Sequence, residues 1–187
     1  MRVRSLITGG ALAALAAAAP GIWTTAGASS SFTFHATVSG KGYDAGTITA
    51  PEHATTVYDQ TGCAILKQRG TAKTLRGTYA FVVRFIGKNP VIEPGMKPAG
   101  PWVLLEVDHY RPAVSTYRGL DVSGSFTINR HTYGGGASAN SMVRVRNGAR
   151  DGTWTEPQAT QSYPGPGSGL RFQATWHCNT VFHLTGS

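Results

Sequence analysis

The sequence predicts an all-β fold, an antiparallel β-sandwich with a closed antiparallel β-barrel as its alternative. Three observations carry this expectation. Apolar residues recur at every second position over most of the chain after residue 30. No ten-residue stretch beyond the N-terminal segment has helical spacing. Pro- and Gly-rich clusters divide the rest into eight or more short runs, the pattern of sandwiches and barrels.

Residues 1–28 read as a secretory signal. Arg2 and Arg4 precede an apolar stretch from Leu6 to Ala19, Pro20 and Gly21 break it, and Ala26-Gly27-Ala28 offers a small-x-small cleavage site. The stretch is shorter than the ~20 residues of a spanning helix, and no second apolar run of that length follows. The expected product is an exported chain without a membrane span, cleaved near Ala28, whose residues 29–187 form a single β domain. The Ala-rich leader and frequent Arg point, on composition alone, to a GC-rich bacterial source.

Phe32, Phe34, Ala36 and Val38 alternate with Ser31, Thr33, His35 and Thr37, which is a half-buried strand. Gly40-Lys41-Gly42 turns the chain into a weaker strand from Tyr43 to Thr49. Thr55 to Tyr58 and Ala64 to Leu66 are short candidates, and Ala64 to Arg69 also suits one helical turn. Thr78 to Ile86 is the strongest strand. Tyr79, Phe81, Val83 and Phe85 share one face, while Ala80, Val82 and Ile86 share the other with Arg84, so the strand belongs inside a sheet. Gly87 to Pro101 holds Pro90, Pro94 and Pro98, too many missing donors for a ladder, and reads as a long loop.

Trp102 to His109 resumes a strand with Val103, Leu105 and Val107 on one face. Val122 to Ile128 and Met142 to Arg146 follow, separated by His131-Thr132-Tyr133 and a glycine triplet. Asn147-Gly148 is a hairpin signal, and Asp151-Gly152 is a second turn signal just beyond it. Pro157 to Gly169 reads as another long loop. Phe172, Ala174, Trp176 and Cys178 alternate inward along the next strand, and Thr180 to Leu184 ends the sheet. Trp102 and Trp176 suit the core, whereas Tyr110, Tyr117, Trp154 and Tyr163 fall in or beside expected loops.

Cys63 and Cys178 are the two cysteines of a chain expected to be exported, which argues for a disulfide between them. A metal or nucleophile pair of His177 with Cys178 is disfavoured, because neighbours on a strand point to opposite faces. The histidines are dispersed, so neither a metal site nor a cofactor is expected.

Charged residues make up only 14% of the chain, which excludes a coiled coil and an acidic solvating tail. The leader holds two Arg and no acid, so the net charge of +8 becomes +6 once it is removed. A basic exported protein suits anionic polymers such as acidic polysaccharide or cell-wall polymer; nucleic acid is less favoured. The tightest cationic group is Arg144, Arg146 and Arg150, with Tyr133 and Trp154 expected to add aromatic surface beside it.

Glu106 and Asp108 alternate onto one strand face beside His109. Paired carboxylates suit glycoside hydrolysis, although the polar face of a strand explains the same alternation. No Gly-x-Ser-x-Gly elbow, phosphate-cradling motif or family-specific motif is present. Three functions follow in order: a non-catalytic exported domain that binds an anionic surface polymer or a protein partner; a small extracellular hydrolase using Glu106, Asp108 and His109; and a protease inhibitor presenting the loop 88–101.

Overall fold

The computed structural model describes residues 30–56, 59–67, 79–86, 100–135, 139–163 and 167–185. The leader 1–28 and nearly all of the expected loop 87–101 lie outside these residues. The strands are β1 (Ser31–Ser39), β2 (Tyr43–Pro51), β3 (His53–Ala54), β4 (Gln60–Lys67), β5 (Tyr79–Ile86), β6 (Trp102–Tyr110) and β7 (Thr116–Arg118), then β8 (Val122–Ile128), β9 (His131–Gly135), β10 (Met142–Arg146), β11 (Asp151–Tyr163), β12 (Gly167–Cys178) and β13 (Val181–Thr185). They form one sheet, antiparallel except where β13 pairs parallel with β4.

The sheet folds onto itself and nearly closes. Its path runs β13-β4-β5-β6-β8-β9-β11-β12-β1-β2, with β10 and β7 branching from β11. Sandwich and barrel both describe it. The inner faces meet through aromatic rings: Phe34 of β1 lies 5.4 Å from Phe126 of β8, and Phe81 of β5 lies 5.7 Å from Trp176 of β12. Those inward positions are the alternating apolar residues of the sequence, including Val103, Leu105 and Val107 at zero exposure. As expected, β5 is internal: Phe81 and Val83 face the main core, while Ala80 and Val82 join a second cluster with Ala64 and Leu66 on the other side.

β11 makes the fork possible. It pairs with β12 along one edge, while its other edge takes β10 at Asp151–Thr155 and β9 at Thr160–Tyr163. Register shifts between Glu156 and Gln161 mark the bend. Pro157, which has no donor to lose, is exposed there. The wholly buried Glu156 accepts hydrogen bonds from the Ser141 hydroxyl and, at 3.0 Å, from the Gln158 amide.

Several expectations on local structure are corrected. Pro157 to Gly169 is chiefly the end of β11 and the start of β12, since Pro157 sits at a bulge rather than in a loop; residues 164–166 lie outside the described residues. His131-Thr132-Tyr133, Gly134 and Gly135 belong to strand β9, in which Gly134 and Gly135 pair with Ser125 and Gly124, while Gly136 lies outside the described residues. Asp151-Gly152 opens β11 instead of turning, because Gly152 is the space beneath the Trp176 ring. Ala64 to Lys67 is strand rather than helical turn. The short strand expected at Thr55 falls at His53–Ala54, while Thr55 and Thr56 bend around Asp59. Trp176 is in the core, whereas Trp102 is only half-buried.

The chain crosses between the two halves of the sheet just after β12. Cys178 is bonded to Cys63 of β4, with the Cα atoms 6.0 Å apart. One residue later, the Glu52 carboxylate accepts the amides of Asn179 (2.6 Å) and Thr180 (3.0 Å).

Candidate functional site

Arg144 and Arg146 point outward from β10 while Val143 and Val145 are buried, as alternation requires. Strand pairing extends each arginine into a row. Arg144 stands in register with Thr116 on β7 and Thr153 on β11, and the row continues through Thr175, His35 and Thr47. Arg146 begins the next row, through Asp151, His177, Thr33 and Thr49. A third joins Arg118, Met142, Thr155, Gln173 and Thr37.

These residues are all exposed or half-exposed, so the outside of β7-β10-β11-β12-β1-β2 is a hydroxyl-rich face. Neighbours along a row are spaced by about 4.8 Å, and rows by about 6.7 Å. Arg118, Arg144, Arg146 and Arg171 are exposed cations on this face. The acid among them, Asp151, is already engaged: its Oδ1 lies 2.5 Å from His177 Nδ1, and Asn147 donates to Oδ2. His177, then Asn147, hold the Asp151 pKa below the usual carboxylate range, and Asp151 in turn raises that of His177.

Arg150 is exposed but lies around the corner from Arg144 and Arg146. The intervening turn has positive φ at Asn147, Gly148 and Ala149. Arg146 lines a cleft on one side of it with Val114 and Ser115. Arg150 lines a groove of about 400 Å³ on the other side with Asn179, Thr180 and His183. The cationic band therefore bends over the sheet edge.

Aromatic support for the arginines is corrected. Trp154 is wholly buried and Tyr133 is 3% exposed, because both occupy inward positions of their strands. Tyr110 and Tyr117, expected near loop surfaces, are also buried. The side chain of Tyr163 lies outside what the structure describes.

Glu106 and Asp108 do share the outer face of β6, opposite the buried Val103, Leu105 and Val107. Burial, then the Asp108 charge, push the Glu106 pKa up, and Arg84 offsets part of this. His109 has φ of 52° at a bulge where Asp108 and His109 face Ala80 alone; its Nδ1 lies 3.2 Å from Asp121 Oδ1. The extra residue turns Tyr110 inward, which strict alternation does not foresee. The two clefts beside the Asn147 turn are lined by other residues than this acidic group.

Among the described residues, no group of three or more His, Cys, Asp or Glu is arranged to hold a metal ion, and no helix is long and apolar enough to cross a membrane. No protein-family model, curated protein or solved structure matches this chain.

Proposed function

We propose that this protein is an exported, non-catalytic binding domain whose outer face on β7-β10-β11-β12-β1-β2 holds an anionic polymer, of the kind of an acidic polysaccharide or cell-wall polymer. One observation carries the reading. Three exposed arginines, Arg118, Arg144 and Arg146, stand in rows with threonines, Arg171 is exposed on the same face, and the acid in those rows is already bonded to His177 and Asn147. A guanidinium makes paired hydrogen bonds to carboxylate or phosphate and stays charged. The threonine hydroxyls donate and accept along the rows, which suits a hydroxylated chain lying across the strands. Export rests on the leader; N-terminal sequencing of secreted protein should begin at or near Ser29, and a chain starting at Met1 would count against it.

The test is retention on an immobilised acidic glycan at two salt concentrations. Arg144→Ala/Arg146→Ala/Arg150→Ala should retain at least about tenfold less than wild type, with the wild-type affinity falling steeply with salt. Equal retention, or no salt dependence, refutes the reading.

A second reading, a small hydrolase, is favoured by Glu106 and Asp108 sharing the outer face of β6, where burial and the Asp108 charge shift the Glu106 pKa in the direction a general acid needs. Glycan hydrolysis that disappears in Glu106→Gln would establish it. The inhibitor reading rests on the loop 88–101, of which only Gly100 and Pro101 are described.

A further inference from the structure

A cleft of about 190 Å³ opens between the start of β2 and β9. Val38 and Leu170, both nearly buried, line it together with Lys41, Tyr43, Asp44, His131, Tyr133 and Gln161. Asp44 organises the polar part. Its Oδ1 accepts from Asn129 at 2.7 Å, and its Oδ2 meets His131 Nδ1 at 2.9 Å and the Tyr133 hydroxyl at 2.8 Å. Burial pushes the Asp44 pKa up, but the hydrogen bonds from Asn129, His131 and Tyr133 together bring it below the usual value. The carboxylate can only accept, so Nδ1 of His131 carries a proton.

With Nδ1 donating to Asp44, Nε2 is the acceptor of the neutral ring. Nε2 of His131 has no hydrogen-bond partner among the described residues, and the side chain is 41% exposed. It presents an oriented lone pair beside the cleft. Next to Asp44, at the first position of β2, Tyr43 lines the cleft and is 77% exposed, so its ring faces are open to a ligand. Lys41 adds an exposed cation at the rim.

We propose that this cleft binds a single sugar residue carrying a carboxylate, a uronic acid. The volume is below that of drug-sized sites and suits one ring. The Tyr43 ring offers a stacking face to the sugar C–H groups, His131 Nε2 accepts a sugar hydroxyl, and Lys41 meets the carboxylate. The cleft adjoins the end of the polymer-binding face, where Tyr43 stands in register with Ser39 and Arg171, but it is lined by none of Arg144, Arg146 and Arg150, so removing those three tests the two readings separately.

The experiment follows the His131 ring-proton resonance by NMR while the folded protein is titrated with D-glucuronate or D-glucose. Glucuronate should give a saturable shift and bind at least about fivefold more tightly than glucose, the size of one exposed charge contact. Tyr43→Ala, an exposed change expected to leave the fold intact, should weaken glucuronate by about tenfold. Lys41→Met should bring the two sugars to within about twofold of each other. The Arg144→Ala/Arg146→Ala/Arg150→Ala variant should titrate like wild type, which separates this site from the outer face. No saturable shift, equal affinity of the wild type for the two sugars, or unchanged binding in Tyr43→Ala overturns the proposal.

Discussion

The indole of Trp176 covers Gly152: a β-carbon at residue 152 would stand 2.1 Å from Cζ2 of that ring and 2.5 Å from the Arg144 carbonyl oxygen. Gly152 is paired with Trp176 across β11 and β12 and with Val145 across β10 and β11. The absent side chain therefore lets three strands and one large ring share the same space. Gly152→Ala should destabilise by about 1–3 kcal/mol through overpacking. Gly42→Ala, with nothing within 4 Å of the added carbon, should change stability by less than about 0.5 kcal/mol. Thermal unfolding of the two variants checks the contrast, and equal melting temperatures would refute it.

The Cys63–Cys178 bond spans 115 residues of sequence and lies in the core, with both cysteines at zero exposure. Chain entropy assigns up to about 5 kcal/mol to a cross-link of that length. Cys63→Ala/Cys178→Ala should therefore lose several kcal/mol in urea unfolding, with part of the loss coming from the cavity. Wild-type protein should show no alkylatable thiol without reduction.

The Asp151–His177 pair should leave a pH signature. The His177 pKa is raised above 6.5, so its contribution is complete below about pH 6.5 and fades as pH rises through the folded value. The Asp151 pKa is lowered below 3.8, so its contribution is present above about pH 4 and fades as pH falls through the folded value. The two overlap between about pH 4 and 6.5. With His177 54% and Asp151 30% exposed, solvent screening keeps the effect below about 1 kcal/mol. Denaturation at pH 6 and pH 8.5 should show wild type losing more stability than His177→Gln.

Arg144 and Arg146 should differ in their contribution to polymer retention. Arg144 faces Thr153 in the adjoining strand, whereas Arg146 faces Asp151. The nearby carboxylate partly cancels the field of Arg146 at an approaching anion. Arg144→Ala should therefore reduce retention on an acidic glycan more than Arg146→Ala, and the reverse order would contradict the row geometry.

Much of the fold was legible locally. Phe32 to Val38, Tyr79 to Ile86 and Phe172 to Cys178 read as strands with the correct residues inward, because a period of two reports which face is buried. The outward placement of Arg144 and Arg146 followed from the same rule. The errors cluster where a strand departs from that period. Pro157 sits at a bulge, His109 adds a residue that turns Tyr110 inward, and Gly135 of β9 and Gly152 make room for the side chains of Glu156 and Trp176 rather than turns.

The candidate cleft was not legible at all. Asp44 and His131 are 87 positions apart, and neither sits in a motif that signals the other. Only the fold brings the β2 edge against the β8–β9 hairpin. The same holds for the fork at Glu156 and for β13, which pairs with β4 instead of continuing beside β12. By itself the sequence determined the regularly alternating strands, their buried faces and the cysteine pair, since these depend on alternation and on a count of two. Tertiary structure alone decided which strands are neighbours, where the sheet bends and which polar groups converge. Pattern along a strand records its burial, but its partners are chosen by how the inner faces pack across the whole chain.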